Sequence, residues 1–134
     1  MPDHNAVSMQ INDHAGFVTF GLRGVVHGAD LLEATRQIYA MLDEPWRYNR
    51  LYDLRALINM FQPEDFVAIV EQWRALSAPQ VARRAAVLTE DPIRIARLNL
   101  FAPLFPDVEL GLFDTLGAAI EWLTEGLTAD HAAA

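Results

Sequence analysis

The feature that most constrains this chain is a short run, Arg50-Leu51-Tyr52-Asp53-Leu54-Arg55, set between two segments of helical periodicity. Upstream, Leu31, Ala34, Thr35, Ile38, Tyr39 and Leu42 recur at steps of three and four, one apolar stripe along a helix. Downstream, Phe66, Val67, Ile69, Val70, Trp73 and Leu76 form a second buried face. That helix starts at Pro63-Glu64-Asp65, where proline suits the first turn and acids suit its positive dipole end. The run between them is too short for a helix and is apolar on both sides of Asp53, as expected of a strand covered on both faces. Strands joined through helices run parallel, with right-handed connections.

The rest of the chain fits around this unit. Val7-Ser8-Met9-Gln10-Ile11 alternates apolar and polar, the Asn12–Gly16 stretch is turn chemistry, and Phe17–Leu22 is a second strand, so a β-hairpin comes first. Arg84–Thr89 and Val108–Phe113 read as further strands. Asp91-Pro92 caps and opens one helix, and Asp114 or Thr115 caps the last, with Leu116, Ala119, Ile120 and Leu123 facing inward. The expected fold is α/β: a single domain over residues 7–124, a hairpin followed by βαβαβα, a mixed five-stranded sheet and four main helices. Leu51–Arg55 is expected inside the sheet, with parallel neighbours from Ala85–Thr89 and Val108–Phe113. Residues 1–6 and 125–134 are expected to be flexible tails.

Composition narrows the function classes. The net charge of −8 opposes non-specific nucleic-acid binding. Without cysteine there is no disulfide and no thiolate metal site, and residues 1–5 hold no basic residue or apolar run, so neither a signal peptide nor a setting other than the cytoplasm is expected. No stretch approaches the roughly 20 apolar residues of a spanning helix, so no stable membrane insertion is expected. All ten basic residues are arginine, and eight fall in residues 47–97 against six acids.

The order and spacing of these motifs resemble the STAS superfamily, in its SpoIIAA-like branch, grouped with STAS/SEC14-type domains. The residues that carry the resemblance are Gly21-Leu22-Arg23-Gly24 closing the hairpin, Asp30-Leu31-Leu32 opening the first helix, Leu51–Arg55, Arg84–Leu88, and the closing segment Phe113–Leu123. In the anti-sigma-factor antagonists of that superfamily, the resemblance implies a phosphorylated Ser in the loop after the middle strand. The corresponding Ala56-Leu57-Ile58-Asn59-Met60-Phe61-Gln62 has no hydroxyl, so a phosphate switch has no acceptor there.

Few residues carry chemistry. The histidines at 4, 14, 27 and 131 lack metal-ligand spacing, and Gly21, Gly24 and Gly28 fit no phosphate loop. Asp53 and Arg55 point to one face and suit an ion pair. The carboxyl ends of the parallel strands would gather Arg55, Asn59, Thr89, Glu90, Asp114 and Thr115, the usual ligand end of an open α/β sheet. No nucleophile–base–orienter set is among them. Ser8 and Ser77 follow no nucleophile-elbow pattern. Ile58, Met60 and Phe61 either tuck under the next helix or form an exposed patch, which Trp46 and Tyr48 would extend. The reading is therefore a non-enzymatic domain without cofactor or metal, binding a protein partner or itself through Arg55, Ile58, Asn59, Met60 and Phe61. The alternative is a carrier or sensor for a small apolar or amphipathic ligand, as a SEC14-type relationship implies.

Overall fold

A computed structural model describes residues 6–76 and 84–125. β1 (Ala6–Asn12) and β2 (Phe17–Gly24) form the expected antiparallel hairpin, in register from Ala6↔Arg23 to Asn12↔Phe17. Its turn is closed by Asn12, whose side-chain oxygen accepts from the Ala15 N–H at 2.9 Å. Then come α1 (Gly28–Ala40), β3 (Asn49–Leu57), α2 (Pro63–Arg74), β4 (Arg84–Leu88), α3 (Pro92–Phe101), β5 (Glu109–Phe113) and α4 (Leu116–Leu123). Ala6, read from sequence as tail, already pairs in β1; residues 1–5 and 126–134 lie outside the described residues, as do Ser77, His4 and His131.

The sheet order is β1-β2-β3-β4-β5, with β2 through β5 parallel. β3 is interior, as expected, but one neighbour differs. β2 pairs with β3, while the Val108–Phe113 strand lies at the edge beyond β4. Each crossover carries the chain one strand further in the same direction. Three such steps put α1, α2 and α3 on one face, where Leu31, Ile38 and Leu98 join Val18, Phe20, Tyr52, Leu54 and Val87 in the main core. α4 follows the last strand and covers the other face, where Ala119 and Leu123 pack on Phe17, Leu51 and Ala86.

This winding corrects the expectation that β3 is covered on both faces. α4 is short and reaches only the Leu51 end; further along, Asp53 is half-buried and Arg55 exposed. The helical stripes are also less buried than their periodicity predicts. In α2, Phe66, Ile69 and Val70 are half-buried and Val67 is exposed; in α4, Leu116 is exposed. No helix of the described residues is long and apolar enough to cross a membrane.

Candidate functional site

The loop after β3 is held from two sides. The Asn59 side chain donates to the Val26 carbonyl at 2.9 Å and accepts from the Val26 N–H at 3.0 Å, tying it to the β2–α1 connection. Arg94, in the first turn of α3, donates to the carbonyls of Leu54, Leu57 and Asn59 at 3.3, 3.4 and 2.9 Å. Its guanidinium is buried, and desolvation lowers its pKa. Asp91 sets Arg94 in place by capping α3, accepting from the N–H groups of Ile93 and Arg94.

Within this frame the apolar trio divides. Phe61 is 6% exposed and sits edge-on to Phe66 at 6.1 Å, so it tucks under α2. Ile58 is 74% exposed, and Met60 is intermediate. Val25 and Ile93, on the two segments tied to Asn59, are also exposed. The end of the sheet therefore presents Val25, Ile58, Met60 and Ile93 on a braced base. Trp46 and Tyr48 do not extend it. They precede β3 and Ile58 follows it, so the nine residues of the strand, about 30 Å, lie between them. Tyr48 instead donates to Asp13 at 2.6 Å.

Of the other expected polar residues, Glu90 and Asp114 are exposed, while Thr89 and Thr115 are taken up by the fold. Thr89 is buried and accepts from the Asp91 N–H; Thr115 caps α4 by accepting from the Ala118 N–H. Continuous winding in one direction leaves no reversal of strand order, and such a reversal is what opens a ligand crevice at the strand ends. His27 is the N-cap residue of α1, its N–H donating to Asp30 at 3.0 Å. No group of three or more His, Asp or Glu among the described residues is placed to hold a metal.

Asp53 and Arg55 form the expected pair, with Arg55 Nε and Nη2 donating to the two carboxylate oxygens at 3.0 and 2.9 Å. The Arg55 hydrogen bonds hold the Asp53 carboxyl below its ordinary range, against partial burial. The pair lines an open cleft of about 510 Å³ with Ser8, Gly21, Arg23 and Ala56, on the part of the sheet that α4 leaves uncovered.

A second cleft, about 100 Å³, lies between α2 and α3 over β3, β4 and β5. Its wall is apolar apart from Arg50 and the phenol of Tyr52. Arg50 is 3% exposed and lies 4.7 Å from the centroid of the Trp73 ring. Among the described residues, its Nε and Nη2 have no hydrogen-bond partner.

The sequence pattern of the SpoIIAA-like family matches residues 17–124. The chain belongs to the SpoIIAA-like family. No curated protein matches it. Among solved structures, this SpoIIAA-like chain is similar to an uncharacterized protein of the DUF3478 family with a SpoIIAA-like fold from Shewanella loihica PV-4. That pair shares 15% identity over 88% of this chain and 92% of the other, with a TM-score of 0.62. It is also similar to an anti-sigma factor antagonist from Mycobacterium paratuberculosis, at 17% identity over 92% and 98% of the two chains and a TM-score of 0.59. At these identities the likeness is one of fold.

Sequence reading of the SpoIIAA-like chain missed two arginines. Arg94 was not singled out, and no local pattern says that its guanidinium turns inward toward three carbonyls. Arg50 carried a usable signal, a cation opening an interior strand, which is costly to bury unpaired.

Proposed function

We propose that this SpoIIAA-like chain is a non-enzymatic, cytoplasmic protein-interaction domain that binds a protein partner, or a second copy of itself, through the end of the sheet where the β3 loop emerges. The observation that carries the reading is Ile58: a large apolar side chain, 74% exposed, on a loop whose backbone Arg94 and Asn59 hold in place. Rigid presentation lowers the entropy cost of association, and an exposed apolar centre supplies the driving force. Met60 stands beside it, Arg55 borders it, and Asn59 and Phe61 act from beneath as supports. The solved structure of an anti-sigma factor antagonist with the same fold supports a protein partner. The segment Ala56–Gln62 carries no Ser, Thr or Tyr, so binding there is not switched by phosphorylation of this loop.

The test is Ile58→Asp, alone and with Met60→Asp, read by sedimentation equilibrium and by quantitative comparison of proteins retained from cell extract. Loss of self-association, or of one specific retained protein, is the expected result. Unchanged behaviour in both assays overturns the reading.

A second reading, a carrier or sensor for a small apolar or amphipathic ligand, is favoured by the cleft at Arg50. Native mass spectrometry of protein taken from extract checks it: the expected spectrum holds an adduct, and a bare mass in every preparation counts against it.

A further inference from the structure

Among the described residues, Arg50 is the one charged residue lining the cleft between α2 and α3. Burying a guanidinium is costly unless it is paired, and among the described residues no carboxylate pairs with it. Trp73 covers one face of the group, and the Tyr39 hydroxyl lies close enough to act on it. Neither supplies a negative charge at neutral pH. What remains is the edge formed by Nε and Nη2.

The same edge has a defined use elsewhere in this protein. Arg55 grips Asp53 with Nε and Nη2, at 3.0 and 2.9 Å. Arg74 grips Asp107 with the same two atoms, at 2.8 and 2.6 Å. Two parallel N–H groups match the two oxygens of a carboxylate. At Arg50 that edge is buried and meets no acid among the described residues, and the residue lines an apolar cleft.

We propose that this cleft binds an alkyl carboxylate, its head held by Nε and Nη2 of Arg50 and its chain running between α2 and α3. The inference rests on the ligand-binding reading above and adds to it the charge and class of the ligand. Beyond the head, Ile69 and Val70 offer one wall, Phe101 and Phe105 the other, and Val87 part of the floor. The volume of about 100 Å³ is smaller than a cavity of roughly 150 Å³ that admits benzene, so it takes the head and first methylenes of a chain. The rest of the chain leaves along the outer side, where Phe66, Ile69, Phe101 and Phe105 stay half-buried. Chains of medium length suit this shape.

The experiment is calorimetric titration of the full chain with octanoate, octanol and octylamine at neutral pH. Octanoate is expected to bind roughly tenfold or more tightly than octanol, as a charge-assisted hydrogen bond predicts, and octylamine not at all. Arg50→Met should remove the preference for octanoate while leaving octanol binding in place. The ligand-free variant should melt no lower than the native protein, because an unpaired buried charge has been replaced by an apolar side chain. If octanol binds as tightly as octanoate, the assignment to Arg50 falls while the ligand-binding reading stands. If none of the three binds, both fall. Should Arg50→Met fail to fold, the comparison of the three ligands on the native chain still decides.

Discussion

At the scale of single residues, Arg94 carries the most structure per side chain. It serves three backbone carbonyls that would otherwise lie against an apolar interior. Arg94→Met is expected to cost about 2–3 kcal/mol, because it leaves buried acceptors unmet. Urea unfolding measures the loss, and faster amide exchange at residues 58–61 shows that the loop has loosened. Asp53 gives a pH-dependent companion. Arg55 lowers its pKa in the folded state, so the pair's stabilisation is present above the ordinary carboxylate value, about pH 4, and is lost as pH falls through the depressed one. Asp53→Asn should therefore lower stability near neutrality by about 0.5 kcal/mol and flatten the acid side of the stability curve, as thermal melts from pH 2 to 7 would record. The Asp53–Arg55 pair was legible from sequence because two residues apart on a strand means the same face. Arg94 was not, because the carbonyls it meets are some 35 to 40 residues away.

At the scale of elements, the helices differ in how firmly they are seated. Among the described residues α4 alone covers its face of the sheet, and it lies close to β5 because Gly111 has no side chain. A Cβ at that position would come 2.7 Å from Phe113 Cε2 and 3.0 Å from Trp122 Cζ3. Those rings are tilted at 45° with centroids 5.5 Å apart, and Arg84 lies over the Trp122 indole at 4.9 Å. Gly111→Ala should displace this cluster and destabilise the domain by about 1–3 kcal/mol, visible as a lower melting temperature with altered tryptophan emission. Element starts were legible where proline and acids mark them, as at Pro63 and at Asp91-Pro92. Degree of burial was not. The stripe of α2 repeats faithfully, yet Phe66, Ile69 and Val70 remain half-buried because α2 and α3 stand apart over the cleft. Periodicity says which side of a helix is apolar, and only the neighbouring helix decides how far that side is covered.

At the scale of the whole molecule, the surface proposed for partner binding and the interior make opposite predictions for adjacent apolar residues. Ile58→Asp should shift stability by no more than about 0.5 kcal/mol, since the side chain is already in water. Phe61→Asp buries a charge under α2 and should cost several kcal/mol, or prevent folding. Denaturant titration of the two variants separates them, and equal effects would mean that the loop is not braced as described. The inventory of strands and helices could be read from the sequence because each is a local pattern. Their neighbours could not: which edge of the sheet receives the next strand depends on the sense of each crossover, and no residue marks it. That sense has a consequence for biosynthesis. Because the spatial order of the strands is their order along the chain, each strand after the first finds its partner already made as it leaves the ribosome and presents a new edge to the one that follows. The sheet can thus grow during translation by simple addition, and of the described elements α4 comes last, closing over Phe17, Leu51 and Ala86.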